Sequence, residues 1–159
     1  MIKAILVSIL VIAVQSHFEC LAEENVTDEC LLSIDGKQLV TVQPELGSYI
    51  CTILVGRSLF DKAEEVCREA AVGSEDAKYG LFEALLNNKK ILTALQFEYE
   101  LFFQQPFQHE RKVSEILERS KPNMEELLYS IEDKVETATL LVYLGRYNEA
   151  ELQLQSYPN

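Results

Sequence analysis

Two cysteines lie at equal distances from a turn between two helical patterns, and this arrangement constrains the fold more than any other feature. Apolar residues recur at spacings of three and four from Tyr49 to Ala71, and the turn falls at Arg57 to Leu59. In a helical hairpin, residues equidistant from the turn face each other. Cys51 and Cys67 can therefore meet the Cα separation of about 4.4–6.8 Å that a disulfide requires. The stretch predicts a stapled hairpin, with about 3 kcal/mol contributed by loop closure.

The other two cysteines, Cys20 and Cys30, leave the pairing open. If Cys51 pairs with Cys67, then Cys20 pairs with Cys30 inside the N-terminal segment. The alternative pairs Cys30 with Cys51 and Cys20 with Cys67, and the sequence alone does not choose between them. No two cysteines have the two-residue spacing of a zinc site and the chain has only 2 His residues, so we expect no metal and no cofactor.

The first residues have the three-part layout of a secretory signal peptide. Lys3 is basic, an apolar run extends from Ala4 to Val14, and polar residues follow it. The run is shorter than the roughly 20 apolar residues that cross a bilayer. We expect removal of residues 1–16; the alternative cut after residue 22 leaves an odd number of cysteines, which suits an oxidising compartment less well. The prediction is a secreted, extracellular protein that does not insert into a membrane after signal removal.

Residues 17–43 are predicted to form an N-terminal arm that disulfides hold in place. The alternating stretch from Leu32 to Val42 gives this arm room for a short extended piece. The arm also contains the sequon Asn25-Val26-Thr27, which predicts glycosylation of Asn25 and a eukaryotic source.

Residues 44–159 are predicted to form a single all-α domain of about seven short helices packed as antiparallel hairpins, because no stretch after Pro44 has sustained alternation. Pro44 and Gly56 are typical start and stop residues for the first helix. Asn123 and Glu126 form a capping-box pattern, which predicts that the sixth helix begins there and extends to Gly145.

Charge and residue types disfavour several classes of function. The chain has 26 Asp and Glu against 14 Lys and Arg, a net charge of -12, and such a surface repels nucleic acids and anionic lipids. His17 lies beside the predicted cleavage site, and His109 lies in a charged run that we interpret as solvated surface, so a His-based catalytic site is not expected. No Gly-rich phosphate loop or nucleophile elbow is present. We expect no enzymatic activity.

The most aromatic segment is the candidate contact surface. On the predicted helix, Tyr99, Phe102 and Phe103 fall on the apolar stripe and are assigned to core packing, whereas Phe97 and Phe107 fall off or beyond it. We predict a small, secreted, non-catalytic binding protein of the effector, venom, salivary or seminal type that acts on another protein. The alternative is an extracellular carrier of small hydrophobic ligands in a cavity between helices.

The C-terminal region has a short internal register. Gly145 is followed by Tyr147 two residues later and by Ala150 three residues after that, and Ala138 lies twelve residues before Ala150. This register resembles the second helix of a tetratricopeptide repeat, in which a small residue lets two helices pack closely. The resemblance implies helical hairpins with a peptide-binding concave surface. A fainter copy of the register comprises Cys51, Ser58, Phe60 and Ala63.

Overall fold

The secondary structure of the described residues is entirely helical, which confirms the predicted all-α class. The computed structural model describes residues 19–22, 26–104 and 106–155, and within these ranges it contains nine α-helices and no strand. The predicted signal peptide and Asn25 lie outside the described residues. A 3₁₀ turn at Glu19–Ala22 precedes α1 (Asp28–Ser33), α2 (Gly36–Val42), α3 (Pro44–Gly56), α4 (Phe60–Ala70), α5 (Glu75–Asn87), α6 (Ile91–Gln104), α7 (Pro106–Leu127), α8 (Lys134–Tyr143) and α9 (Tyr147–Gln155).

Three of these helices, α3, α5 and α7, run parallel to one another and form one layer. Ser48 bonds to Ser74 and Cys51 contacts the Ala77 carbonyl, both across a separation of 26 residues. A constant separation means that α3 and α5 run in the same direction. The separation between α5 and α7 is also constant, at 36 residues, for three hydrogen-bonded pairs: Asp76 with Lys112, Glu83 with Arg119, and Asn87 with Asn123.

The helices α4 and α6 return the chain between the parallel helices. Asn88, at the end of α5, donates to the carbonyl of Phe60 at the start of α4 over 3.1 Å, so α4 and α5 are antiparallel. The core between the layers is filled with fully buried apolar side chains, which stabilise the packing by removing apolar surface from water. The largest of them are Phe82, Leu31, Ile34, Leu39, Ile50, Leu54, Leu85, Leu86, Ile91, Leu101, Met124 and Leu140.

Three helix-to-helix turns share one geometry. Ser58, Lys89 and Gly145 each have a positive φ, at 58°, 62° and 72°. In each turn the residue after the positive-φ residue donates its N–H to a carbonyl five residues back, which is the pattern of a Schellman C-cap. The next helix begins two residues after the positive-φ residue, and a buried alanine follows at the fifth position: Ala63, Ala94 and Ala150. The register seen at both ends of the sequence therefore also occurs in the middle hairpin.

The stretch from Leu32 to Val42 in the N-terminal arm is mostly helical, so the expectation of a short extended piece there was wrong. Thr27 caps α1 by accepting from Cys30 N at 3.2 Å, and Asp35 caps α2 by accepting from Gln38 N at 2.8 Å. Gly36 lies against α4, where an added Cβ would be 3.1 Å from Val66. Capping and this close approach outweigh the alternation in the sequence. The helices α1 and α2 are the two beyond the predicted seven.

The predicted break before Asn123 was also wrong. Helix α7 continues through Pro122 to Leu127, and Asn123 donates its amide to Asn87 on α5 at 2.6 Å rather than capping a new helix. Burial of Met124 and Leu127 holds this last part of α7 against the core. The cap of the next helix is Asp133, whose carboxylate accepts from the N–H groups of Val135 and Glu136.

All four cysteines are in disulfides. Cys51 is bonded to Cys67 between α3 and α4 with a Cα separation of 5.0 Å, and Cys20 is bonded to Cys30 within the arm. Of the two connectivities considered from the sequence, the structure therefore has the one with the stapled hairpin. Gly80 of α5 lies directly on this disulfide, because a Cβ there would be 2.6 Å from Cys51 Sγ.

Candidate functional site

The layer formed by α3, α5 and α7 carries a groove of about 740 Å³. Several of its lining residues are exposed, so the groove is open to solvent. It is lined by the end of α3 and the turn after it (Thr52, Val55, Gly56, Ser58, Phe60), by α5 (Asp76, Tyr79, Gly80, Glu83, Asn87) and by α7 (Lys112, Glu115, Ile116, Arg119, Ser120).

One side of the groove is apolar and unobstructed. Val55 near the end of α3 and Phe60 at the start of α4 are partly exposed and supply apolar surface, and Gly56 has no side chain. A Cβ added at Gly56 would meet nothing within 4 Å, and this residue has ordinary helical backbone geometry. The space beside Gly56 is therefore available to the side chain of a bound molecule.

The other side is a seam of ion pairs between α5 and α7. Lys112 pairs with Asp76 at 3.0 Å, and Arg119 donates to both carboxylate oxygens of Glu83 at 2.6 and 3.2 Å. The Glu83 side chain is only 8% exposed, so its carboxylate needs this bidentate partner. The hydrogen bond to Glu83 raises the pKa of Arg119. The seam fixes the axial positions of α5 and α7 and leaves the outer guanidinium surface of Arg119 facing solvent.

Tyr79 lies beneath this seam. The Lys112 ammonium is 5.7 Å from the centre of the Tyr79 ring, a cation–π arrangement. The Tyr79 hydroxyl is buried and has no hydrogen-bond partner among the described residues. Burial, and then the charge of Glu75, raise the pKa of Tyr79, so the hydroxyl keeps its proton as a donor at neutral pH.

His109 is buried, so its assignment to the solvated surface was wrong. It is 5% exposed, and its Nε2 atom is 2.8 Å from the Glu98 carboxylate. Burial, and then the negative charge of Glu98, raise the pKa of Tyr143. Glu98 of α6 is thus a partner for His109 inside the protein. The charged residues around His109 in the sequence give no sign of this contact.

The residues of the predicted aromatic patch have different environments. Tyr99 is 63% exposed rather than in the core, and it continues a row of exposed apolar side chains from Leu92 and Leu95. Phe97 is half-buried and packs against the core. The side chains of Phe102, Phe103 and Phe107 lie outside the described part of the structure. The core face of α6 is formed instead by Ile91, Ala94 and Leu101.

No helix in the described ranges is long and apolar enough to span a bilayer. Among the same residues, no group of three or more His, Cys, Asp or Glu side chains is arranged to hold a metal ion.

The sequence contained a signal for the groove that we did not use. Asp76 and Glu83 are seven residues apart on one helix, and Lys112 and Arg119 are seven apart on another. Seven residues make about two helical turns, so each pair projects from one helix face. Opposite charges with the same spacing indicate that these two helices can pair along this face, in either direction.

A scan against protein-family models, a search of curated proteins and a search of solved structures each found no match to this chain.

Proposed function

We propose that this protein is a secreted, non-catalytic interaction protein that binds a segment of another protein in the groove between α3, α5 and α7. The observation that carries the proposal is the groove itself. Its volume of about 740 Å³ lies within the range of roughly 300–1,000 Å³ typical of ligand sites. Three parallel helices line it, so the site is built on rigid elements.

The composition of the groove favours a peptide segment over a small apolar ligand. A carrier of hydrophobic molecules encloses its ligand in an apolar cavity, whereas five charged side chains line this open groove. Apolar surface of Val55 and Phe60 provides an anchor site, and polar groups along α5 and α7 provide hydrogen bonds to a main chain. Mixed sites of this kind suit protein segments.

Two further observations support the secreted and non-catalytic parts of the proposal. The chain begins with the layout of a signal peptide, and all four cysteines are paired, as expected in an oxidising compartment. His109 is buried, its partner Glu98 is partly buried, and neither residue is among those that line the groove. Among the described residues, no histidine lines the groove to act as a base on a bound substrate.

The test uses Gly56, which can be changed without disturbing the fold. In Gly56→Trp the new side chain occupies the groove, and Gly73→Trp is the matched control because a Cβ there also meets nothing within 4 Å. A phage-displayed library of random peptides is selected on the disulfide-intact protein. We expect the wild type and Gly73→Trp to retain the same peptides and Gly56→Trp to lose them. Titration by NMR then maps the bound peptide.

Retention of the selected peptides by Gly56→Trp, or failure of the selection to enrich any peptide, would contradict the groove as the binding site. Native mass spectrometry of the protein purified from its secreting cells distinguishes the carrier hypothesis from peptide binding. A bound lipid that Gly56→Trp excludes would favour the carrier.

A further inference from the structure

Tyr129 lies in the connection between α7 and α8 and is the most exposed tyrosine in the described part of the chain. Its exposed fraction is 92%, against 63% for Tyr49, 63% for Tyr99 and 67% for Tyr147. A side chain this exposed buries almost no apolar surface, so it contributes little to the free energy of folding. Packing therefore does not require an aromatic ring at this position.

The connection holds the Tyr129 side chain outward. Leu128 on one side of it and Ile131 on the other are partly buried and pack against the core. The N–H of Tyr129 donates to the carbonyl of Glu126 at 3.3 Å. Residues 128–133 form a turn followed by a stretch without regular secondary structure. The phenol therefore projects from a turn, whereas Tyr49, Tyr99 and Tyr147 project from helices.

The sequence around Tyr129 is strongly acidic. Within four positions on either side, the chain has no basic residue and four acidic ones, which are Glu125, Glu126, Glu132 and Asp133. The same window has two acidic residues around Tyr99 and one around Tyr49. Around Tyr147 it has two acidic residues and one basic residue. Tyr129 thus combines the highest exposure with the most negative sequence surroundings.

Two of these four carboxylates have structural partners, and the other two are exposed. Glu125 pairs with Arg146 at 3.2 Å, and Asp133 caps α8. The side chains of Glu126 and Glu132 lie on the surface, before and after Tyr129 in the chain. A positively charged surface that approaches the phenol can therefore contact a carboxylate on each side of it.

The transfer of sulfate to a tyrosine has chemistry that matches these surroundings. Its donor, phosphoadenosine phosphosulfate, carries several negative charges, so an enzyme that binds it needs a basic cleft. A basic cleft attracts an acidic segment of the acceptor protein and repels a basic one. An exposed tyrosine in an acidic turn is therefore a suitable acceptor.

The neighbouring hydroxyl of Ser130 is less suited to modification. Its Oγ atom donates to the carbonyl of Leu127 at 3.1 Å and accepts from the ammonium of Lys89 at 3.4 Å. A group attached to this oxygen would remove the first bond and crowd the second. The exposed phenol of Tyr129 is the more accessible oxygen in this connection.

We propose that Tyr129 is a site of O-sulfation, with phosphoadenosine phosphosulfate as the donor. The phenolic oxygen attacks the sulfur atom and forms an oxygen–sulfur bond. The bond between sulfur and the bridging oxygen of the donor breaks, the phenolic proton passes to a base of the transferase, and phosphoadenosine phosphate leaves. This proposal rests on the proposed secretion of the protein, because sulfation takes place on the secretory route, but it does not depend on the groove.

The first test uses the purified, disulfide-intact chain, a purified tyrosylprotein sulfotransferase and phosphoadenosine phosphosulfate with a labelled sulfate. Mass spectrometry of peptides locates the label. We expect about tenfold more label on Tyr129 than on any other exposed tyrosine. Tyr129→Phe should lose this label. Tyr99→Phe is the matched control and should keep it, since Tyr99 is also exposed and lies between two glutamates.

Charge variants test the role of the acidic surroundings. Glu126→Gln with Glu132→Gln should lower the initial rate of transfer about tenfold, because the basic cleft loses two opposite charges. Glu29→Gln with Glu45→Gln removes the same charge from exposed positions far from Tyr129 in the sequence. This control should keep a rate close to that of the wild type. Circular dichroism shows whether each variant is folded.

Absence of label on Tyr129, equal labelling of Tyr99, or an unchanged rate in the variant without Glu126 and Glu132 would overturn the proposal. The second test follows the chain in eukaryotic cells that receive labelled sulfate, and the secreted protein should carry sulfate on Tyr129. A secreted chain with an unmodified Tyr129, or with phosphate on Tyr129 or Ser130, overturns this proposal alone. A chain that the cells retain contradicts the proposed secretion and, with it, the modification.

Discussion

The hairpins α3–α4 and α8–α9 have the same turn but different surroundings. In the first, Cys51, Ala63 and Cys67 are completely buried, with α5 covering one side and the N-terminal arm packed against the hairpin. In the second, Ala150 is buried against α8, but Leu154 remains half-exposed. The comparison shows that the turn register sets how two helices meet. Burial, stability and access for a partner depend on the elements that pack on them.

Removing the Cys51–Cys67 disulfide should leave the first hairpin without a covalent link between its helices, as in the last hairpin, and should lower its stability. The variant Cys51→Ala with Cys67→Ala should lower the free energy of unfolding by about 3 kcal/mol, because a loop of this length loses its constraint in the unfolded chain. Urea denaturation followed by circular dichroism measures the change. The paired change Cys20→Ala with Cys30→Ala should cost less, since its loop is shorter, with a sequence separation of 10 against 16. Equal losses for the two variants would contradict this account.

A substitution at the contact between α5 and the Cys51–Cys67 disulfide should have the next largest effect on stability. Gly80→Ala places a Cβ against two bonded sulfur atoms that cannot move away, at 2.6 and 3.3 Å. We expect a loss of about 2 kcal/mol in the free energy of unfolding, as for other overpacked cores. Gly56→Ala, where the added Cβ meets nothing, is the control and should be neutral or stabilising. A neutral Gly80→Ala would show that α5 does not rest on the disulfide.

The shared turn geometry can be tested by substitutions at its positive-φ residue. Gly145→Ala should destabilise the last hairpin by about 1 kcal/mol, because a side chain is strained at a positive φ. Ser58→Gly should stabilise the first by at most about 1 kcal/mol for the same reason. Thermal unfolding of both variants gives the two signs. Changes of the same sign would mean that the turns are not equivalent.

The smallest effect is expected at Glu64, which lies six residues after the turn residue Ser58, as Glu151 lies six residues after Gly145. Burial acts to raise the pKa of Glu64, but hydrogen bonds from Lys90, Asn88 and Arg68 outweigh it and lower the pKa below its ordinary 4.5. The ionised carboxylate therefore stabilises the fold above pH 4.5, and this contribution is lost as the pH falls through the folded-state pKa. Glu64→Gln should cost about 1 kcal/mol at neutral pH and progressively less in acid.

Unfolding measured across this pH range checks the result. The exposed Glu151 accepts a hydrogen bond from Gln155 on its own helix, so Glu151→Gln serves as the control with a smaller loss at neutral pH. A pH-independent loss in Glu64→Gln would rule out the ionised carboxylate as the source of the stability.

Local signals predicted much of the fold. Pro44 and Gly56 mark helix ends in the structure as they do in the sequence, and equal distances from a turn placed Cys51 opposite Cys67. These features depend on residues close in the chain. The turn register of the middle hairpin was not recognised because its turn uses Lys89, a residue type with no preference for a positive φ.

Features that depend on distant residues were not predicted. His109 is buried because α6 supplies Glu98, and Asn123 fails to cap a helix because α5 supplies Asn87. The groove depends in the same way on the alignment of α5 with α7. A sequence read one segment at a time does not contain these partners, and packing decides against the local pattern.

The burial of the staple has a kinetic consequence. Exchange with a reductant requires a thiolate to approach a disulfide sulfur from outside, and Cys51 and Cys67 have no exposed surface in the folded chain. Cys20 is partly exposed, so its bond with Cys30 is accessible without unfolding. Mild reduction should thus proceed in two stages, with the arm released first and the hairpin bond surviving until the helical array opens.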